Sequence, residues 1–366
     1  MEKLFASPAK YVQGRGVASQ LGDHASSLGE SALLLGDETV LGLVEDSVTA
    51  SLESAGFETR AVTFDGEASQ TEIERIVDVA EAEGSDVVVG AGGGKGIDTA
   101  KAVADATGAA TVSMPTVAST DAPTSSLSVI YSDHGEFEAY RFYDRHPDLV
   151  LVDTELIAAA PTRFFVSGIG DALATWYEAD AARRDTDGEN FFGGRPTRAG
   201  TALAELCYET LQDHAASAVE AVERDAVTES VEAVTEANTL LSGLGFENGG
   251  IAAAHSIHNG LTQLESTHDA SHGEKVNVGT ISQLVLEGKP DGQVAETIRF
   301  TSELGLPVTL AEIGVDDVEA ADLDAVAEAA CADDETIHNE PFAVEPAAVR
   351  DAILTADALG HKHGAN

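Results

Sequence analysis

Four histidines, His255, His258, His268 and His272, fall within eighteen consecutive positions of this chain. Imidazoles gathered in this way ligate metal ions, move protons, or pack as satisfied core rings. His255 and His258 stand three apart in the run Ala252–Gly260, a spacing that puts both on one face of a helix. His272 opens the string His-Gly-Glu-Lys. An unpaired buried imidazole is costly, so the cluster points to metal ligation, with an exposed or core-satisfied pair as the alternative.

A second set of residues suits an anion. Gly92-Gly93-Gly94-Lys95-Gly96-Ile97-Asp98-Thr99-Ala100-Lys101 follows directly on the apolar run Asp86–Val89. Glycines at a strand-to-helix turn let the backbone approach a phosphate, and the helix N-terminus supplies N–H groups and the positive end of a dipole. The string is not a Walker A loop, because Gly96 stands where a Ser or Thr should follow the lysine, and its glycines are not spaced as GxGxxG. A purely structural turn is the competing reading. The chain has only seven lysines, at 3, 10, 95, 101, 275, 289 and 362, and two of them lie here.

Three further groups accompany these. Gly36-Asp37 follows the apolar run Ser31–Leu35, where an acid can accept bonds from ribose hydroxyls and repel a 2′-phosphate. A solvated turn aspartate explains the position equally well. Pro115–Ser126 carries six hydroxyl side chains and Asp121 after the run Ala110–Ser113, suited to a polar ligand at the crevice of an open α/β sheet. In Gly168–Thr175, Asp171 opens a helix of small and apolar residues, as either a carboxylate meeting the helix dipole or a functional acid.

The elements that must hold these groups follow from hydrophobic period. Up to about residue 155, short apolar runs (31–35, 59–64, 86–89, 110–113 and 149–152) alternate with amphipathic stretches such as 71–83 and 96–107. That pattern predicts βαβ units and a parallel sheet. After about residue 163 the strand signals vanish and helical spacing takes over at 167–183, 198–213, 215–222, 228–241, 250–264, 323–330 and 346–359. The expectation is an α/β domain over 1–162 and an all-helical domain over 163–366. Helix breaks are expected at Gly193–Pro196 and Gly305–Pro307.

Composition bounds the function classes. The 366 residues carry 20 Lys+Arg against 64 Asp+Glu, a net charge of −44, with 43% hydrophobic residues. This is a globular composition whose charge argues against nucleic acid and anionic membranes as partners. Self-repulsion of that size strains a compact fold in dilute buffer but is screened in molar salt, so a salt-rich cytoplasm is the expected setting. Cys207 and Cys331 are far apart and form no CxxC pair, so neither a zinc ribbon nor a disulfide framework is expected. The N-terminal MEKLFASPAK lacks an apolar signal core and no run is long enough for a membrane span, which predicts a soluble, cytoplasmic protein.

Taken together, Gly92–Lys101, PTVASTDAPTSSLSVIY (Pro115–Tyr131), GIGDALATWYEA (Gly168–Ala179), GLGFENGGIAAAHSIHNGLT (Gly243–Thr262) and HGEKVNVGT (His272–Thr280) resemble the glycerol dehydrogenase branch of the metal-dependent, iron-containing-type alcohol dehydrogenase superfamily. The resemblance runs from Tyr11 nearly to Gly360. It implies the dehydroquinate synthase-like fold: a Rossmann-like α/β domain, a helical domain, and a cleft holding NAD and one divalent metal. The implied metal ligands are Asp171, His255 and His272. Iron-using members carry a fourth ligand, a histidine, at the position of Thr175; three protein ligands with one open position are the arrangement of a catalytic zinc, so one Zn2+ per subunit is expected. The implied NAD contacts are Asp37, Gly93, Gly94, Lys95, Asp98, Thr116, Ser119, Ser125, Leu127 and Tyr131. Asp121 matches the polyol contact, and His258 a histidine near the nicotinamide.

The implied reaction is the oxidation of glycerol, or a related vicinal diol, at C2 with hydride transfer to NAD+. The implied assembly is a homo-oligomer, an octamer by resemblance. Glycerol-1-phosphate dehydrogenase and a dehydroquinate synthase-like lyase are the alternatives within the superfamily. Both handle phosphorylated anions, which call for Arg or Lys beside the metal, and only Lys275 is near these motifs. A non-catalytic nucleotide-binding protein is the alternative from another class.

Overall fold

The computed structural model describes residues 2–135, 137–316 and 320–364. Its strands are β1 (Tyr11–Gly14), β2 (Ser31–Gly36), β3 (Glu58–Thr63), β4 (Val87–Gly92), β5 (Ala110–Pro115), β6 (Leu127–Tyr131), β7 (Phe137–Phe142) and β8 (Leu149–Asp153). The α-helices of the first part are α1 (Leu21–Ala25), α2 (Glu38–Ser54), α3 (Gln70–Glu83), α4 (Gly94–Thr107) and α5 (Thr154–Ala159). Thereafter come α6 (Thr162–Arg184), α7 (Arg198–Val222), α8 (Glu229–Glu236), α9 (Ser242–Gly249), α10 (Ala253–Leu261), α11 (His272–Leu286), α12 (Asp291–Glu303), α13 (Ala320–Ala330) and α14 (Pro346–His363).

Six strands form one sheet in the order β1-β8-β5-β4-β2-β3, with every pairing parallel. A parallel sheet needs helices on both faces, so its strands are apolar on both sides. In β2 the alternation divides the core: Leu34 packs with Leu21, Val44 and Val48 of α1 and α2. Leu33 and Leu35 face the other way, to Ile73 and Ile76 of α3 and Val103 of α4. The expected runs at 31–35, 59–64, 86–89, 110–113 and 149–152 are five of these strands. The sixth, β1, is only four residues long. β6 and β7 pair antiparallel as a separate hairpin, outside the βαβ rhythm that marked the others.

The chain divides into two compact units, one comprising Ala6–Phe165 with Glu220–Gly243, the other Met1–Phe5, Val166–Val219 and Leu244–Asn366. The division is therefore not a single cut at 162/163. Residues 220–243, helical and C-terminal to the expected boundary, belong with the sheet. Their attachments are side-chain bonds: Gln13 Nε2 donates to Glu232 Oε2 at 2.8 Å, and Thr154 Oγ1 to Glu232 Oε1 at 2.7 Å.

In the helical unit, Ile257 and Leu261 of α10 pack with Val326 of α13, Val349 and Ile353 of α14 and Val278 of α11. The expected helix over 250–264 is shorter, because Gly250 at φ +85° ends α9 in a conformation that L side chains avoid. The stretches 198–213 and 215–222 are one helix, since α7 runs unbroken through His214. The stretch 228–241 is α8 followed by a π-helical turn, Ala237–Leu241. Among the described residues no helix is long and apolar enough to cross a membrane.

Candidate metal centre and glycine loop

Asp171, Thr175 and Glu178 lie on one face of α6 at intervals of four and three, each no more than 1% exposed. Because α6 starts at Thr162, Asp171 sits in its third turn and not at its opening. The dipole explanation of this acid therefore fails: no free backbone N–H lies at that depth of a helix. Its partners come from other helices. His255 Nε2 on α10 and His272 Nε2 at the start of α11 each lie 3.2 Å from Asp171 Oδ1. These three side chains offer ligand atoms within 4.8 Å of one another, the one such group of acids, histidines and cysteines among the described residues.

Local structure explains the placement of each histidine. Ser271 and Glu274 form a capping box that starts α11 at His272. The α10 N-terminus is held by Glu178, whose Oε1 accepts the N–H groups of Ala252 and His255 at 3.0 Å. Glu178 Oε2 accepts from His255 Nδ1 at 2.6 Å. That bond puts the ring proton on Nδ1, so Nε2 presents a lone pair to Asp171 Oδ1.

With the rings neutral, acceptor faces acceptor and a proton or a cation must stand between them, and Asp171 Oδ2 is buried with no hydrogen-bond partner. A cation among the three donors satisfies all of them. Donors each about 2.0–2.2 Å from a tetrahedral ion stand roughly 3.3 Å apart, close to the 3.2 Å distances here. The residues fit a divalent ion. Thr175, one turn from Asp171, packs its methyl against Gly245, where an added Cβ would lie 2.6 Å from Thr175 Cγ2, and it brings no imidazole to the group.

The titrations follow from the same geometry. Burial pushes the Asp171 carboxyl up, but the His272 and His255 rings outweigh it and hold it well below the usual carboxylate range. Burial disfavours a charged His255, yet Glu178 and Asp171 raise it well above an ordinary histidine. His258 is lowered well below, by burial first and then by His272, His255 and Lys275. Its Nε2 lies 3.0 Å from His272 Nδ1 and its Nδ1 lies 3.1 Å from Asn259 Oδ1, so it stands behind the ligand with both nitrogens engaged. His268 is elsewhere, bonded to the Thr262 carbonyl.

The glycine loop belongs to the sheet-containing unit. Gly92 closes β4 at φ +134°, and Gly93 caps α4 without a side-chain bond. A methyl on Gly93 would lie 3.5 Å from Val117 Cγ2, and one on Gly94 3.4 Å from Thr120 Oγ1, so the turn lies along the hydroxyl-rich loop. Thr116 ties that loop to Gly92 through its N–H at 3.1 Å. Lys95 already has an anion, Glu67 at 2.6 Å, and its Nζ lies 5.0 Å from the centre of the Tyr131 ring. Burial raises the Tyr131 phenol. Asp37 caps α2, accepting from the Val40 N–H at 2.8 Å.

Lys101 and Asp98 have internal work. They are a buried ion pair at 2.8 Å, although burial still raises the Asp98 carboxyl. Lys101 Nζ donates to the carbonyl of Ala122 at 3.0 Å, to Ser125 Oγ at 3.0 Å and to the carbonyl of Leu127. Asp98 Oδ2 accepts the Val129 N–H at 3.0 Å. The pair thus staples Ala122–Val129, including Ser125 and Leu127, to α4.

The same loop is clamped from 238–243. Asn238 Nδ2 donates to the Ala118 carbonyl at 3.0 Å, Thr124 Oγ1 to that of Thr239 at 2.9 Å, and Ser242 Oγ to Asp121 Oδ2 at 2.7 Å. Ser119 is on this loop as well.

Sequence reasoning gave no role to Glu178, to the clamp at 238–243, or to Asn259. Glu178 did carry a signal, an acid two turns from Asp171 on the same face of α6. The clamp carried none, since its partners are distant in sequence.

Similarity to known proteins agrees with this architecture. Residues 8–154 match the family model described as iron-containing alcohol dehydrogenase. A glycolaldehyde reductase of Halobacterium salinarum is 64% identical over 362 residues, covering 99% of both chains. A glycerol dehydrogenase of Thermotoga maritima is 49% identical over 356 residues, 96% of each. The crystal structure of glycerol dehydrogenase from Schizosaccharomyces pombe superposes with a TM-score of 0.95 at 40% identity, covering 99% of this chain and 92% of that one. The fold is that of an oxidoreductase, and Asp171, His255 and His272 form a candidate metal site within it. The chain belongs to the iron-containing alcohol dehydrogenase family.

Proposed function

We propose that the protein is a zinc-dependent, NAD+-linked oxidoreductase acting on vicinal diols, with glycerol + NAD+ → dihydroxyacetone + NADH + H+ as its reaction. The observation that carries this reading is the meeting of Asp171 Oδ1 with the Nε2 atoms of His255 and His272, 3.2 Å from each. These three residues would hold the cation, and three protein donors are the set of a catalytic rather than a closed structural site. The chemistry such a cation supplies is Lewis acidity, which lowers the pKa of a substrate hydroxyl and holds charge developing on its oxygen.

The chain's residues do the rest. Glu178 orients His255. His258, kept neutral by burial, is a way out for the proton. Asp121, steadied by Ser242, accepts a hydrogen bond from a polyol hydroxyl. Gly93 and Gly94 let the pyrophosphate approach the N–H groups of α4, with Lys95 beside it. Thr116, Ser119, Ser125, Leu127 and Tyr131 line the rest of the nucleotide site. Asp37 selects NAD over NADP by accepting from ribose hydroxyls, and Asp98 acts by holding the loop. The charge of −44 fits a salt-rich cytoplasm, and the working form is a homo-oligomer.

The relative named glycolaldehyde reductase supports a second reading, reduction of glycolaldehyde by NADH at the same site. Both substrates carry a hydroxyl beside the reacting carbon. Steady-state kcat/KM for glycerol with NAD+, and for glycolaldehyde and dihydroxyacetone with NADH, separates the two. A higher kcat/KM for glycolaldehyde than for dihydroxyacetone supports the second reading over the first.

A further inference from the structure

We infer that Glu335 is a positioning residue for the metal ligand His272, fixing through Asn259 and His258 which nitrogen of that ring carries its proton. The inference rests on the metal reading above. It begins at Asn259, whose Nδ2 lies 3.0 and 3.1 Å from the two carboxylate oxygens of Glu335. An ionised carboxylate only accepts, so it claims the amide nitrogen and turns Asn259 Oδ1 the other way. That oxygen lies 3.1 Å from His258 Nδ1.

An amide oxygen also only accepts, so His258 carries its proton on Nδ1 and a lone pair on Nε2. That lone pair lies 3.0 Å from His272 Nδ1, which must therefore be the N–H. His272 Nε2 is left with a lone pair, 3.2 Å from Asp171 Oδ1, in the form that binds a cation.

Without Glu335 the chain has a second state with one more hydrogen bond, that of His272 Nε2 to Asp171. The Asn259 amide turns over and offers N–H to His258 Nδ1. His258 then donates from Nε2 to His272 Nδ1, and the proton of His272 moves to Nε2, where it bonds Asp171 and blocks coordination. His255 needs no such relay, because Glu178 fixes its tautomer directly. The two histidine ligands are thus set by two carboxylates, one adjacent and one three links away.

The test is zinc affinity of the metal-free full chain, measured by competition with a chromogenic chelator in molar KCl. Glu335→Ala is expected to weaken binding about 10–100-fold, the usual cost of losing such support, with metal-free melting unchanged. Glu335→Gln keeps an acceptor for Asn259 Nδ2 but adds an N–H that can meet the turned amide, so its zinc affinity is expected to lie between those of the parent and E335A. In an N259D background both side-chain oxygens accept, so adding E335A should then cost nothing.

Parent-like binding by E335A overturns the inference. So does E335Q weaker than E335A, or an undiminished E335A cost in the N259D background. Should E335A fail to fold, Asn259→Leu breaks the same relay one link further in and must show the same loss. Failure of the parent itself to bind zinc would refute the metal reading and not the relay.

Discussion

Glu178 of α6 and His255 of α10 are joined by a 2.6 Å hydrogen bond that His255 Nδ1 donates to a carboxylate with no exposed surface. The same carboxylate takes two backbone N–H groups at the start of α10. One acid therefore positions both the helix that carries a ligand and the ring of that ligand, with Asp171 two turns before it on the same helix.

Replacing Glu178 with Gln leaves too few acceptors for three donors. Zinc affinity by chelator competition should fall about 10–100-fold, with a parallel fall in activity at limiting zinc. Parent-like affinity would remove Glu178 from the site.

Lys101→Met leaves Asp98 buried without its cation, which costs about 3–5 kcal/mol for an interior pair. The double change Lys101→Met/Asp98→Asn should recover much of that in denaturant unfolding. The single variant should also raise KM for NAD+ more than it lowers kcat, because the staple holds Ser125 and Leu127 and touches no metal ligand.

Glu340 is 2% exposed, and burial, followed by Glu287 and Glu178, pushes its carboxyl up to about 8. In the unfolded chain it titrates near 4.5. Between these values the folded state holds a proton that the unfolded state has lost, so stability falls as pH rises. The contribution is fully present below about 4.5 and is lost as pH passes through about 8. Glu340→Gln should flatten this part of the stability profile; an unchanged slope in melting from acid to alkaline pH would contradict the assignment.

Net charge −44 predicts that the unfolding midpoint rises with KCl from dilute to multimolar, as screening shortens toward roughly 3 Å. A midpoint constant or falling over that range would count against the salt-rich setting.

The sheet was legible because buried parallel strands such as Ser31–Gly36 and Val87–Gly92 are short apolar runs between amphipathic helices. The hairpin of β6 and β7 was not, since Phe-Glu-Ala-Tyr-Arg-Phe makes no such run. His255 and His272 were legible through resemblance, and their spacing alone left a core-satisfied pair open. The place of Asp171 at the opening of a helix was misread, because the helix extends nine residues ahead of it to Thr162, while its role as a ligand was implied by the resemblance. Lysine scarcity pointed correctly to Lys101 having a task, though the task is to brace a loop rather than to meet an external anion. Glu178, Asn259 and Glu335 act through hydrogen bonds between residues far apart in sequence or through amide orientation, neither of which periodicity records.

The central claim is that Asp171, His255 and His272 hold the cation on which diol oxidation depends. Its most direct measurement is NADH formation from glycerol and NAD+ in molar KCl, followed by nicotinamide absorbance before chelation, after it, and after return of zinc. The account predicts activity that disappears with the metal and returns with it, and none in His272→Ala folded to the parent's melting temperature. Undiminished NADH formation by protein shown by metal analysis to be metal-free would contradict it.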